Sequence, residues 1–331
     1  MSEPILVIQT AFLGDVILTT SLLSALAARH GPVDVVTTPI AAPLLETHPA
    51  VRQVIPYDKR RADRGWAGLR RLARRLRAER YGRAYLPHRS LRTAALALFA
   101  RIPSRIGFPG GWSFLYTEAR PKPRTGHETD RLLALADEPP GAYPPQLHPT
   151  AVDEQAAAAI IDGAFVALAP GSIWGSKRWP YYGELAAELA AHTTVVVVGG
   201  PDDVGLGEEI VGAVGRSGGR AVNACGRLTL RQSAALLKRA VLLVTNDSAP
   251  LHLASAVGTP IVALFGPTVT EFGFGPVRPG DVALGMELQC RPCSSHGPPQ
   301  CPLGHHRCMR DLTVEAVTRA IEELGALRRR N

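Results

Sequence analysis

Two charged residues stand where buried strands would deliver them to solvent. Asp15, in "AFLGDVILTT", follows a glycine that itself follows the apolar run "PILVIQ", and Lys177, in "APGSIWGSKRWP", lies beyond "FVAL". A carboxylate at such a place can take the proton of a hydroxyl. A lysine among small residues and open backbone N–H groups can hold an oxyanion. Asp is equally favoured as a helix N-cap or in a first turn, so by residue type alone Asp15 suits a plain cap as well. The stretch around Lys177 is not a P-loop: no Ser or Thr follows the lysine and the glycine spacing differs, which argues against a P-loop NTPase.

Two more segments end apolar runs in the same way. "VVVVGGPDD" closes on two glycines, then Asp202 and Asp203, which could reach a ribose hydroxyl or cap the next helix. "VTNDSAPLHLA" offers Asp247 and Ser248 as capping types and Pro250 for a first turn, so the free N–H groups of that helix N-terminus and the helix dipole would face an anion. His252 projects from that first turn. Ser172 and Arg178 flank Lys177 and complete the candidate anion-binding set.

The elements that must position these groups alternate β-branched runs with Ala/Leu-rich segments of helical period, the pattern of parallel sheets covered by helices. In open α/β sheets, ligands bind beyond the carboxyl ends of the strands, where all these residues fall. "PILVIQ", "VDVVTT", "VRQVIPY" and "RAYLPH" read as strands of one doubly wound domain, and "FVALAP", "TVVVVGG", "AVNACG", "VLLVTND" and "PIVALFG" as strands of a second. Between them, "LADEPPGAYPPQLHPTAVDE" loses periodicity and gathers prolines, so it reads as a linker. At 331 residues and 46% hydrophobic, the chain suits two domains, 1–150 and 151–331, with a cleft between them. The closing "LTVEAVTRAIEELGALRRR" reads as an amphipathic helix with Val314, Val317, Ile321 and Leu324 on one stripe, of a kind that packs back across a linker.

The net charge of +8 is concentrated in "KRRADRGWAGLRRLARRLRAER", residues 59–80. Leu69, Leu72 and Leu76 on one side, with Arg70, Arg71, Arg74, Arg75 and Arg77 around them, describe an amphipathic surface helix. The same face suits an anionic partner such as a phosphorylated lipid at a membrane surface. No stretch reaches the roughly 18 uncharged apolar residues of a spanning helix, and the start lacks the marks of a signal peptide, so a cytoplasmic protein is expected. Cys290, Cys293, Cys301 and Cys308, with His296, His305 and His306 among them, are enough ligands for tetrahedral zinc. The later pair is spaced more widely than a ribbon's CxxC, so a loop of free thiols is expected, with zinc the alternative.

Taken together, "LGDVILTT", "PGSIWGSKRWP", "GGPDD", "NDSAPLHLASAVGTPIVALFGPT" and "CRPC…CPLGHHRCM" resemble the lipopolysaccharide heptosyltransferase family, glycosyltransferase family 9, and are most similar to its heptosyltransferase II branch. The resemblance spans nearly the whole chain. It implies a GT-B fold, an acceptor-binding first domain, a donor-binding second domain, and inverting transfer of a heptose from ADP-L-glycero-D-manno-heptose to the lipid A–Kdo2–heptose inner core. By motif, Asp15 matches the general base, Lys177 the lysine near the donor diphosphate, and Asp247, Ser248, Ala249 and His252 the donor loop, with Ser172, Arg178 and Asp203 beside it. "NDSAP" departs from the "DTG" of the heptosyltransferase I branch, and Leu13 stands where many members carry a basic or Ile-containing lead-in. No DxD-like metal site adjoins the donor loop, so no cofactor is expected and cationic residues would carry the diphosphate charge.

Other readings share parts of this pattern. Another GT-B transferase or a nucleotide-sugar epimerase would keep the donor loop with different carboxylates. A zinc-containing nucleic-acid-binding protein would fit the charge and the cysteines, but the chain lacks a helix-turn-helix or finger pattern and aromatic interleaving in its basic stretch.

Overall fold

The computed structural model describes residues 3–325. Met1, Ser2 and residues 326–331, into which the sequence reading runs the last helix, lie outside them. The chain divides into two compact units, Met1–His148 and Pro149–Asn331.

In the first unit, strands β1 (Ile5–Ile8), β2 (Val33–Thr37), β3 (Val51–Pro56), β4 (Arg83–Leu86), β5 (Ser104–Gly107) and β6 (Glu118–Ala119) form one sheet, and helices α1 (Leu13–His30), α2 (Ala42–Leu45), α3 (Gly65–Ala78), α4 (Leu91–Phe99) and α5 (Glu128–Leu133) connect or follow them. In the second unit, β7 (Phe165–Ala169), β8 (Thr194–Val197), β9 (Ala221–Asn223), β10 (Leu242–Asn246), β11 (Ile261–Phe265) and β12 (Val282–Gly285) alternate with α6 (Ala151–Ala158), α7 (Tyr182–Leu189), α8 (Val204–Arg216), α9 (Leu230–Arg239), α10 (Ala249–Val257), α11 (Arg307–Arg310) and α12 (Val314–Leu324).

Both sheets are parallel throughout, with the orders β3-β2-β1-β4-β5-β6 and β12-β11-β10-β7-β8-β9. Each is the doubly wound order in which the unit's first strand lies beside its fourth. The direction of winding reverses there, and a crevice opens at the strands' carboxyl ends. That switch point lies between β1 and β4 in the first unit and between β7 and β10 in the second. The strands flanking it are buried at every residue in β1, β7 and β10, because helices cover both faces of a parallel sheet.

One charge sits inside the first sheet. Asp34 on β2 is fully buried, receives a forked pair of hydrogen bonds from the Arg52 guanidinium at 2.8 and 2.6 Å, and accepts the Tyr81 hydroxyl at 2.5 Å. These donors replace the water the carboxylate has lost.

The helix expected over residues 59–80 is α3, which begins at Gly65. Residues 59–64 form the turns that lead to it. The expected linker ends sooner than its prolines suggest: Thr150 and Asp153 exchange hydrogen bonds as a capping box and start α6. The last helix, α12, for which the sequence suggests a return across the linker, buries Val317, Ala320 and Ile321 in the core of the second unit, alongside Cys308, Met309 and Leu312.

Candidate active site

In the first unit the chain leaves β1 through Gln9–Phe12 and enters α1 at Leu13, so Asp15 occupies the third helical position with Phe12 as N-cap. It is therefore not the cap itself. Its backbone carbonyl accepts the Thr19 hydroxyl at 2.7 Å. A carboxylate near a helix N-terminus is ordinarily held low by the dipole and the open N–H groups. Here burial wins, pushing Asp15 up to about 6, and the charge of Glu128 adds to the rise, against the Phe12 N–H and the Lys122 ammonium. Burial disfavours the charged form more than a few partly open N–H groups favour it.

Lys122, Glu128 and Arg131 are site residues the sequence reading did not name. Glu128, the first residue of α5, is buried and accepts Lys122 Nζ at 2.6 Å, with Arg131 at 3.4 Å. Lys122 also stands 5.2 Å from the centre of the Phe108 ring. Packing of α5 on α1 brings this charged group to Asp15.

Lys59, grouped in the sequence with the basic surface helix, belongs here instead. Its Nζ donates to the Thr10 carbonyl at 2.7 Å at the end of β1, and burial together with Arg60 and Arg92 lowers its pKa. His88, just past β4, is lowered by burial and by Lys59. The switch point of the first unit thus holds a carboxyl raised toward neutrality beside the Glu128–Lys122 pair, and an imidazole whose pKa is lowered.

In the second unit the adjacency of β7 and β10 brings two predicted residues into contact. Lys177, in the short turn Gly175–Lys177 after β7, is buried and donates to Asp247 Oδ2 at 2.6 Å and to the Asp247 carbonyl at 3.2 Å. Thr268, which the sequence reading passed over, donates its hydroxyl to the same Oδ2 at 2.6 Å. Asp247 is therefore a charge partner and not a cap. Ser248 is the N-cap of α10, in extended conformation, with a buried Oγ that has no partner among the described residues. Ala249 and Pro250 open the helix; Pro250 has no N–H and the Leu251 N–H donates to the Ser248 carbonyl at 3.1 Å, which leaves the Ala249 N–H at the helix end. His252 is buried, its ring centre 6.3 Å from that of Phe274.

The remaining predicted residues fall into local roles. Ser172 Oγ accepts the Trp174 N–H at 3.2 Å, and its carbonyl accepts two N–H groups of Arg178 at 3.0 and 2.8 Å, so Arg178 folds back on its own turn. The Asp203 carboxylate accepts the Gly200 N–H at 2.9 Å. A Cβ at Gly171 would meet Asp203 Oδ1 at 2.2 Å, and one at Gly199 would meet Asp203 Cβ at 2.7 Å. Both glycines thus leave room for the Asp203 side chain beside the ends of β7 and β8, while Asp202 is exposed.

None of Cys290, Cys293, Cys301 and Cys308 is joined in a disulfide. Burial and the neighbouring thiols push Cys293 up, and Cys308, the more enclosed, to about 11. Among the described residues no group of three or more His, Cys, Asp or Glu side chains is arranged to hold a metal ion, and no helix is long and apolar enough to cross a membrane.

The sequence profile of glycosyltransferase family 9 (heptosyltransferase) matches residues 69–303. The chain is 29% identical to lipopolysaccharide heptosyltransferase 2 of Salmonella typhimurium, over 98% of each chain. Among solved structures it is similar to the E. coli ADP-heptose lps heptosyltransferase II, with a TM-score of 0.82 and 28% identity over 99% of this chain and 100% of that one. It shares its fold with E. coli heptosyltransferase WaaC with ADP-2-deoxy-2-fluoro heptose, at a TM-score of 0.73 and 20% identity over 97% and 99% of the two chains. A raised carboxyl at one switch point, a buried lysine below a helix N-terminus at the other, and this agreement in sequence and topology have one common explanation: the chain belongs to glycosyltransferase family 9, the heptosyltransferases, and is a glycosyltransferase.

Proposed function

We propose that the protein transfers heptose, with inversion, from ADP-L-glycero-D-manno-heptose to the lipid A–Kdo2–heptose inner core of lipopolysaccharide, the reaction of a heptosyltransferase II. The observation that carries this reading is Asp15, a carboxyl raised to about 6 at a helix N-terminus where it would ordinarily be low. An inverting displacement needs a base to take the acceptor hydroxyl's proton as its oxygen attacks C1, and such a base works best when its pKa lies near the working pH. Asp15 takes that proton. The departing ADP needs cationic and N–H donors as charge develops on its diphosphate. Lys177 and the N–H end of α10 at Ala249 supply them, with Arg178 beside the same turn, and no metal or other cofactor is required. Asp247, itself held by the Thr268 hydroxyl, holds Lys177 in place, and Ser248 Oγ is left to meet the donor. The first unit receives the acceptor and the second the donor.

We also assign α3 to an anionic membrane surface at the cytoplasmic face of the inner membrane. It buries Leu69, Leu72 and Leu76 and exposes Arg70, Arg71, Arg74, Arg75 and Arg77. Exposed Trp66 and Phe99 stand 6.4 Å apart beside exposed Leu98, an apolar spot next to a cationic one, as interfacial helices present. Each arginine near an anionic surface contributes on the order of 1 kcal/mol.

Mass spectrometry of purified protein incubated with ADP-heptose and a monoheptosylated core acceptor tests the reaction: the product gains one heptose. Absence of that product with this acceptor, alongside turnover of another sugar donor, rejects the reading. Sedimentation with anionic vesicles that weakens when Arg70, Arg74 and Arg77 are changed together to Gln tests the surface.

A further inference from the structure

The cysteine-rich segment is not part of either sheet, yet it closes over the turn that carries Lys177. Its first half is fastened to the end of β11: the Cys293 N–H donates to the Pro267 carbonyl at 2.8 Å, and the Arg291 guanidinium donates to the carbonyls of Phe265 at 3.0 Å and Thr268 at 2.8 Å. Its second half reaches the Lys177 turn. Buried Ser176 donates its hydroxyl to the Pro298 carbonyl, and His306 Nε2 lies 2.7 Å from the Ser176 carbonyl oxygen. A carbonyl can only accept, so Nε2 carries the proton and His306 is the donor. Two glycines permit the approach: a Cβ at Gly175 would come within 2.6 Å of the Pro299 oxygen, and one at Gly297, at φ +81°, within 3.1 Å of Lys177 Cε.

The carbonyl that His306 holds belongs to the same planar peptide unit as the Lys177 N–H, so fixing one end of that unit fixes the other. His306 is itself anchored. It immediately precedes α11, whose Cys308 and Met309 are buried in the core of the second unit. The backbone side of Lys177 is thus set by the cysteine-rich segment, and its ammonium by Asp247.

We infer that His306 is a positioning residue for donor binding, holding the Ser176–Lys177 peptide so that Lys177 meets the donor diphosphate. The inference rests on Lys177 as the diphosphate contact. Its test is calorimetric titration of the full chain with ADP, which needs no turnover. His306→Ala should weaken ADP binding by about tenfold, the upper range for losing one hydrogen bond. His306→Gln, whose amide N–H can take the place of Nε2–H, should bind within about twofold of wild type on the same scale. In a Lys177→Gln background, His306→Ala should cause no further loss, because its effect passes through Lys177. Gly297→Ala, which presses on Lys177 Cε from the same segment, should weaken ADP binding in the same direction and serves if His306→Ala does not fold. Wild-type affinity in both His306→Ala and Gly297→Ala, or full additivity with Lys177→Gln, overturns the positioning role while leaving the donor site intact. Wild-type affinity in Lys177→Gln itself overturns the donor-site reading and the inference with it.

Discussion

Asp15 titrates near neutrality for physical reasons that can be pulled apart. With its pKa at about 6, a base that must be ionised is about one-tenth competent at pH 5 and about nine-tenths at pH 7, so kcat/KM should rise about tenfold per unit below pH 6 and level off above it. Glu128 raises Asp15 and Lys122 lowers it. Glu128→Gln should therefore move the acid limb to lower pH, and Lys122→Met should move it to higher pH, although the two side chains form one ion pair at 2.6 Å. A merely structural disruption of that pair would shift both profiles the same way. Asp15→Asn should remove the limb and lower turnover by about 100-fold or more, with ADP affinity retained.

The same shift has a stability consequence of definite sign. The folded pKa lies above the ordinary 3.8, so the folded chain binds the extra proton, and stability tied to Asp15 is full below about pH 4 and lost as pH rises through about 6. At pH 7, Asp15→Asn should melt no lower than wild type. The assays are initial rates from pH 4.5 to 8.5 and thermal melts at pH 7. A pH-independent rate, limb shifts of the same sign in the Glu128 and Lys122 variants, or an Asp15→Asn enzyme keeping more than about a third of wild-type turnover refutes the assignment of Asp15 as base.

Lys177→Ala takes the ammonium from the buried Asp247 carboxylate and leaves it the Thr268 hydroxyl as a hydrogen-bond donor. Breaking a buried pair costs about 3–5 kcal/mol, which for a unit of this size lowers the melting temperature by about 10 °C, and adding Asp247→Asn should restore part of it; scanning calorimetry checks this, and ADP titration should show weakened binding in both variants. Asp34→Ala leaves the Tyr81 hydroxyl and Arg52 without their acceptor inside the first sheet and should destabilise by about 1–3 kcal/mol in urea unfolding. Cys293→Ser should change stability by no more than about 1 kcal/mol, and elemental analysis of protein prepared in metal-free buffer should find no stoichiometric zinc, with transfer unaffected by EDTA. A full zinc equivalent lost in the Cys293 variant would reverse that expectation.

How far these features can be read without coordinates follows from the range of the interactions that make them. The inner strands announce themselves because burial on both faces forces unbroken apolar runs, as in "ILVI" and "FVALA". Two of the four outer strands do not: β6 is two exposed residues, Glu118 and Ala119, and β12 alternates half-buried with exposed positions, so neither has enough one-sided burial to leave a pattern. β5, "SRIG", spends two of its four residues at the rim.

The site divides along the same line. Asp15, Lys177 and Asp247 are legible singly, since each lies just past the end of an apolar run. Their surroundings are not. Lys177 and Asp247 are 70 residues apart, and only the strand order, which sets β7 against β10, makes them one ion pair. Glu128 and Lys122 sit in "KPRTGHETDR", which by composition is a polar loop, and α5 packing against α1 turns that loop into the electrostatic setting of Asp15. His306 is hardest of all, because the sequence draws attention to it as a metal ligand among cysteines, while its bond to the Ser176 carbonyl spans 130 residues and involves no side chain at the other end. A residue that acts by holding another residue's backbone leaves no partner type to search for, so roles of this kind enter only with three-dimensional structure.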